Sequence, residues 1–167
     1  MKHPIVYILL FFISSTSVAQ KSLDRVLHIF NSKSIPYISV EELRMFQLRG
    51  ELVILDSREI EEFEVSHIPS ARYVGYKRFS SKAITSSIQD KDTPIVVYCS
   101  VGIRSETISE KLKKVGYTNI HNLYGGIFEW KNKGYPVIDP DGKETENLHA
   151  YSRVWSKWLN NGVKVYD

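Results

Sequence analysis

The stretch Ile95-Val96-Val97-Tyr98-Cys99-Ser100-Val101-Gly102-Ile103-Arg104-Ser105 decides the fold of this 167-residue chain. Its first four residues form an apolar run with the length of a buried strand. The single cysteine of the chain follows this run, and a short loop containing Gly102 leads into a helix that we expect to begin at Ser105. A strand, loop and helix in this order predict that backbone N–H groups and the positive end of a helix dipole point at the Cys99 sulfur.

This arrangement favours the thiolate form of Cys99. A free cysteine has a pKa of about 8.5, and a helix N-terminus or a neighbouring arginine lowers it to roughly 3.5–7.5. Arg104 supplies a permanent positive charge next to the loop. We therefore interpret Cys99 as a nucleophile, against the alternative that it is a small buried hydrophobic residue at a strand end.

The rest of the chain alternates apolar runs with segments of helical pattern. A capping box that starts at Ser39 opens one helix, and Arg49-Gly50 ends it. The serine-rich segment 80–88 fits either a helix or a loop. This alternation predicts an α/β fold, a single domain with a central parallel sheet and helices on both faces. Strands are predicted at 52–55, 71–74, 93–98 and 119–123, and further helices at 22–30, 59–64 and 105–115.

Three stretches of the chain resemble the signatures of the rhodanese-like sulfurtransferase family. The segment 55–59, Leu-Asp-Ser-Arg-Glu, followed by Glu62-Phe63 and by His-Ile-Pro-Ser-Ala at 67–71, is similar to the first signature. Ser66 and Ser70 stand where the family usually has glycine, so we expect ordinary backbone angles at both positions.

The Cys99 loop is similar to the family's second signature. The segment 123–130, Leu-Tyr-Gly-Gly-Ile-Phe-Glu-Trp, closing at Gly134-Tyr135-Pro136-Val137, is similar to the family's Gly-Gly-x-x-x-Trp ending. The resemblance covers residues 34–138 and implies a single rhodanese-like domain. It also implies that His67 is a hydrogen-bonded structural residue rather than a base.

The resemblance implies an enzyme that transfers sulfane sulfur. Cys99 would attack the outer sulfur of a donor such as thiosulfate, release sulfite, and hold a persulfide until a thiol or cyanide removes it. Arg104 would attract the anionic donor, unless it is only a surface ion pair. Arg58 would pair with Asp56 or a nearby glutamate and organise the pocket floor. The predicted catalytic residues are Cys99 and Arg104, and the predicted substrate-binding residues are Ser100, Val101, Gly102, Ile103, Ser105 and Arg58.

Two other functions are compatible with this fold. Four residues lie between Cys99 and Arg104, as in single-domain sulfurtransferases of the family, whereas the related dual-specificity phosphatases place five there, which disfavours phosphatase chemistry. The second alternative is a non-catalytic rhodanese-like module that binds a protein partner or senses thiol state, and the presence of Cys99 and Arg104 favours the enzyme. No cofactor or metal site is predicted, because the turn at 139–142 lacks the other ligands of a calcium loop.

The N-terminal segment differs in composition from the domain. Lys2 and His3 precede an apolar run at 5–13, and Ser17-Val18-Ala19 fits a signal-peptidase site. We expect a signal peptide at 1–19, and a periplasmic or secreted protein with no stable membrane association after cleavage. An uncleaved anchor is the alternative, although the apolar run is shorter than the ~20 residues of a membrane span. Residues 20–33 are expected to form an N-terminal helical extension.

The C-terminal segment 139–167 is rich in aromatic residues. Tyr151, Trp155 and Trp158 follow one another at helical spacing. We expect this extension to pack its aromatic face on the domain, and the alternative is a lid over the substrate or a surface for a partner.

The charge of the chain indicates small-molecule partners. Lys and Arg number 22 against 19 Asp and Glu, and the basic residues are scattered, so no nucleic-acid partner is predicted. A small anionic sulfur donor and a thiol acceptor remain as the expected partners, and the sequence assigns no protein partner. In an oxidising compartment the lone cysteine, which cannot form an internal disulfide, is interpreted either as a thiol that pairs with another molecule or as a reactive thiol.

Overall fold

A computed structural model describes residues 22–166 and confirms the α/β fold with a parallel sheet. The sheet has five strands in the order β1-β5-β4-β2-β3, all parallel. The strands are β1 (Tyr37–Ile38), β2 (Val53–Asp56), β3 (Arg72–Tyr73), β4 (Ile95–Tyr98) and β5 (Ile120–Leu123). The helices are α1 (22–30), α2 (Val40–Arg49), α3 (Ile60–Val65), α4 (Ser81–Ser87), α5 (Arg104–Lys114) and α6 (Gly126–Asn132).

Strand β4 lies in the middle of the sheet, between β2 and β5. All four of its side chains are buried, and they alternate between two cores. Val96 and Tyr98 face the larger core, whereas Ile95 and Val97 face the smaller one. A strand covered on both faces explains the uninterrupted apolar run. Its carboxyl end therefore delivers Cys99 to the edge of the sheet where parallel sheets place their sites.

The helix ends follow from local sequence. The Ser39 side chain accepts from the Glu42 N–H and the Glu42 carboxylate accepts from the Ser39 N–H, which is the capping box predicted for α2. Gly50 ends the helix in the left-handed conformation at φ 68°. The serine-rich segment 80–88 proves to be a helix, α4, with Ser80 as its N-cap.

The two serines that replace glycine in the first signature behave differently. Ser66 is extended, at φ −173° and ψ 159°, as predicted. Ser70 is not: its φ is 66°, in the left-handed region that glycine normally occupies. The prediction of ordinary angles at Ser70 is therefore wrong, because the turn keeps the backbone shape associated with glycine.

The C-terminal segment contains short strands instead of the helix that its aromatic spacing predicts. Strands β6 (Val137–Ile138) and β7 (Glu144–Thr145) pair antiparallel, and β8 (Asn147–His149) pairs in parallel with β9 (Val163–Val165). Residues 147–149 use their backbone hydrogen bonds in this parallel pairing, so they cannot begin a helix. Tyr151 has a φ of 63°, which lies outside the right-handed helical region. Helical structure is thus confined to one 3₁₀ turn, Trp155–Trp158.

Both extensions contribute to the larger core. Leu23 and Leu27 of α1 are buried in it, as are Trp158 and Leu159 of the C-terminal segment. Within residues 22–166, no helix has the length and apolar character needed to cross a membrane. The predicted signal peptide at 1–19 lies outside the described residues.

Candidate active site

The loop after β4 curls around the Cys99 sulfur. The Gly102 N–H donates to Sγ at 3.2 Å, and the Ser105 hydroxyl lies 3.6 Å from it. Gly102 has a φ of 109°, which a residue with a side chain rarely adopts. The helix that follows, α5, begins at Arg104, close to the predicted start. Of the predicted cradle, two backbone N–H groups, those of Gly102 and Ser105, contact the sulfur of a thiol that is 1% exposed.

Helix α6 fixes the loop from the other side. The N–H groups of Ile127 and Phe128 donate to the carbonyl oxygens of Cys99 and Ser100, at 2.9 and 3.1 Å. A Cβ on Gly126 would lie 2.3 Å from the Cys99 carbonyl oxygen, so only glycine permits this approach. These two bonds fix the orientation of the Cys99 and Ser100 carbonyl groups against α6.

Two asparagines hold the middle of the loop. The side-chain amides of Asn31 and Asn122 both donate to the Gly102 carbonyl oxygen, each at 2.8 Å. The Ser105 hydroxyl donates to Asn122 Oδ1 at 2.7 Å. Asn31 follows α1 and Asn122 belongs to β5, so the loop is tied to the extension as well as to the sheet.

The surroundings of Cys99 lower the pKa of its thiol. Burial raises this pKa, but the Arg104 charge and the hydrogen bonds from Ser105 and Gly102 stabilise the thiolate more, so the net shift is downward. This direction agrees with the prediction from sequence. The site therefore favours an ionised, nucleophilic sulfur.

Arg104 lies in the site, but its charge is matched by Glu62. Its terminal nitrogens donate to Glu62 Oε2 at 2.6 Å and Oε1 at 2.8 Å, and one of them also donates to the Ser100 hydroxyl at 2.9 Å. Burial raises the pKa of Glu62, but the hydrogen bonds and charge of Arg104 lower it further, below the ordinary value. Arg104 therefore forms a buried ion pair with Glu62. The sequence predicted either a group that attracts the anionic donor or an ion pair at the surface.

Arg58 is completely buried, and it does not line the pocket over Cys99. It forms an ion pair with Asp56 at 2.7 Å and donates to the Ser66 carbonyl oxygen at 2.7 Å. Arg58 was predicted among the substrate-binding residues, and its burial is a correction to that prediction. Its role is structural, because it joins the end of β2 to the segment after α3. His67 is likewise engaged structurally, with its ring stacked on Phe63 at 3.9 Å.

A pocket of about 160 Å³ opens over Cys99. Three of the predicted substrate-binding residues, Ser100, Val101 and Ile103, line this pocket. The other two loop residues, Gly102 and Ser105, do not line it but contact the Cys99 sulfur. The sequence did not assign six residues that shape the site, although the aromatic spacing of the C-terminal segment was a signal for two of them. These residues are Phe30, Asn31, Glu62, Asn122, Tyr151 and Trp155.

Across the described part of the chain, no group of three or more His, Cys, Asp or Glu residues could hold a metal ion.

Comparisons with known proteins connect this geometry to one family. The model of the rhodanese-like domain matches residues 39–133. The chain is 33% identical over 108 residues to a tRNA uridine(34) hydroxylase of Erwinia tasmaniensis, a match that covers 60% of this chain and 31% of that protein. It is 30% identical over 100 residues to the thiosulfate sulfurtransferase GlpE of Coxiella burnetii, covering 57% of this chain and 88% of that protein.

A solved structure shows the same fold. The thiosulfate sulfurtransferase from Pseudomonas aeruginosa superposes with a TM-score of 0.60 at 22% identity, over 84% of this chain and 26% of that chain. At this identity the likeness concerns the fold alone. Because the match spans only about a third of the hydroxylase, that relative shares one domain with this chain.

Proposed function

This chain belongs to the rhodanese-like family, and on that premise we propose that it transfers sulfane sulfur through a persulfide on Cys99. The observation that carries the proposal is the loop, in which the buried sulfur accepts a hydrogen bond from the Gly102 N–H and has a lowered pKa. A relative named as a thiosulfate sulfurtransferase supports the same chemistry.

The reaction has two displacement steps. The Cys99 thiolate attacks the outer sulfur of thiosulfate, the sulfur–sulfur bond of the donor breaks, and sulfite leaves with the electron pair. An acceptor thiolate, or cyanide, then attacks the terminal sulfur of the Cys99 persulfide, and the Cys99 thiolate is released. No oxidant or reductant is consumed.

The loop stabilises the charge that moves to the terminal sulfur. N–H groups aimed at developing charge contribute about 3 kcal/mol each when they are preorganised. A helix dipole contributes about 0.3–1 kcal/mol, so the N–H groups of the loop matter more than α5 behind them. The bonds from α6 to the carbonyls of Cys99 and Ser100 supply this preorganisation.

Mass spectrometry of the full chain after incubation with thiosulfate tests the proposal. We expect a one-sulfur adduct on Cys99, removal of that sulfur by cyanide or a thiol, and no adduct in Cys99→Ser. Turnover by Cys99→Ser at the wild-type rate would falsify the mechanism. An inactive wild-type protein that captures one protein partner would support the non-catalytic module instead.

We also propose that the protein is exported, on the basis of the apolar run at 5–13 and the small residues Ser17-Val18-Ala19. Sequencing the N-terminus of protein from its native host should give Gln20. Retention of Met1 on a cytoplasmic product would contradict export without affecting the proposed chemistry.

A further inference from the structure

We propose that the pocket over Cys99 selects sulfur donors that carry a flat apolar group, such as aryl thiosulfonates, over small inorganic donors such as thiosulfate. This inference rests on the proposed function, since it names the class of donor for the same cysteine. It comes from the walls of the pocket, from its size and from its charge.

The walls of the pocket are aromatic and come from outside the family domain. Phe30 of α1 and Tyr151 and Trp155 of the C-terminal segment line the pocket, whereas the family model matches only residues 39–133. The rings form one continuous surface, because Trp155 lies 6.3 Å from Phe30 and 6.5 Å from Tyr151, centroid to centroid. These are ordinary distances for aromatic pairs. The extensions thus add an apolar wall to a sulfur-transfer loop.

The side of the pocket nearest the sulfur is also apolar. Val101 and Ile103 of the loop line it together with the aromatic wall. The volume of about 160 Å³ is close to that of an engineered apolar cavity of roughly 150 Å³ that binds benzene. A single aromatic ring therefore matches the space above Cys99, whereas a hydrated inorganic anion gains nothing from these walls.

The charge of the site favours a monoanion over a dianion. Arg104 is the one cationic side chain among the described residues that line the pocket, and both of its terminal nitrogens donate to Glu62. The centroid of the Tyr151 ring lies 4.7 Å from the Arg104 guanidinium carbon, and both residues line the pocket. A dianion such as thiosulfate would meet an already neutralised guanidinium.

The step with an aryl thiosulfonate is the same displacement. The Cys99 thiolate attacks the terminal sulfur of the donor, the bond between the two donor sulfurs breaks, and an aryl sulfinate leaves with the electron pair. One persulfide anion and one sulfinate anion form from one thiolate and one thiosulfonate anion. During attack the aryl group lies against the wall formed by Phe30 and Trp155.

The test compares the kcat/KM of persulfide formation with benzenethiosulfonate and with methanethiosulfonate, with thiosulfate as a third donor. We expect wild-type protein to use the benzene donor best. The benzene-to-methane ratio should fall about tenfold in Phe30→Ala, since losing one apolar contact in a pocket has effects of this size. Because each variant receives the same donors, their intrinsic reactivities cancel in the comparison.

Two controls keep the test interpretable. Ile29 is 68% exposed on the same helix and does not line the pocket, so Ile29→Ala should keep the wild-type ratio. Trp155 also packs against the core, so Trp155→Phe, which keeps a flat ring, should retain more of the ratio than Trp155→Ala.

The outcomes separate the two proposals. Persulfide on Cys99 from all donors, with the same ratio in wild type and Phe30→Ala, would overturn this inference and leave the proposed function standing. Absence of persulfide with every donor would overturn the proposed function.

Discussion

Arg104 and Glu62 form a two-pronged ion pair at the mouth of the Cys99 loop, with nitrogen–oxygen distances of 2.6 and 2.8 Å. The side chains are 14% and 4% exposed. The pair connects the start of α5 to α3. It also means that removing Arg104 alone would leave a buried carboxylate without its ion-pair partner, which typically costs about 3–5 kcal/mol. The effect of the Arg104 charge on donor use is therefore better tested by substituting Glu62 than by substituting Arg104.

Glu62→Gln should improve the use of anionic donors. Glutamine keeps a hydrogen-bond acceptor for Arg104 but removes the negative charge, so the guanidinium becomes a net cation beside the thiol. We expect a several-fold lower KM for thiosulfate in steady-state assays. Glu61→Gln, an exposed neighbour on α3, serves as the control and should behave as wild type. An unchanged KM in Glu62→Gln would show that the donor does not approach Arg104.

The same carboxylate should make stability depend on pH. The folded-state pKa of Glu62 lies below the ordinary value of 4.5, so its contribution to stability is present above that pH. The contribution is lost as pH falls from about 4.5 through the folded-state value. Melting temperatures measured across this acid range should fall less steeply for Glu62→Gln than for wild type. Parallel curves would show that Glu62 is not ionised in the folded protein.

The ionisation of Cys99 can be read directly, because it is the single cysteine of the chain. The ultraviolet absorbance of the thiolate should titrate with a midpoint below the ordinary pKa of a cysteine thiol, about 8.5. Ser105→Ala removes the hydroxyl dipole that lies 3.6 Å from the sulfur and should raise this midpoint. Ser109→Ala, further along α5, is the control, because its buried hydroxyl has no hydrogen-bond partner in the structure. Equal midpoints in both variants would exclude a role for Ser105 in thiolate stability.

Gly126→Ala should disable the loop. Its new Cβ would lie 2.3 Å from the Cys99 carbonyl oxygen, so α6 and the loop would have to separate. We expect persulfide formation to fall by at least tenfold and the melting temperature to drop. Gly134→Ala is the matched control: it also has a positive φ, 79°, but nothing lies within 4 Å of the new Cβ. It should lose only about 1 kcal/mol. Similar behaviour of the two variants would mean that the close approach is unimportant.

Trp158→Ala should destabilise the fold more than it changes chemistry. Trp158 is 7% exposed in the larger core, and removing a buried tryptophan side chain typically costs about 3–5 kcal/mol. Denaturant unfolding measures this loss, with Val154→Ala, at a site 68% exposed, as the control. Persulfide formation well below the melting temperature should change less. A stable Trp158→Ala variant that forms no persulfide would assign the residue to the site.

The sheet and the loop could be predicted because local sequence determines them. An apolar run of four residues before Cys99 has few solutions other than a strand covered on both faces, and the capping box at Ser39 specifies α2. The short strand β1 was not predicted, since Tyr37–Ile38 is too short to show a period. Local sequence also misled at Ser70, where the turn overrides the preference of a serine backbone.

The parts of the site that depend on distant contacts could not be predicted. Glu62 carries no local mark of its bond to Arg104, because their approach depends on how α3 lies against the start of α5. Tyr151 and Trp155 have helical spacing. The residues before them nevertheless use their backbone hydrogen bonds to pair β8 with β9, so no α-helix forms there. The Cys99 loop could therefore be predicted from the sequence, whereas the aromatic walls of its pocket could not.

The contact between Phe30 and Trp155 joins the two extensions of the domain. All five strands of the central sheet lie between these residues in the sequence. The contact is therefore present only when both extensions are docked on the domain. A protease cut or a substitution that released either extension would leave Cys99 at the end of β4 without its aromatic wall, and its thiol would then be open to peroxides and to other thiols.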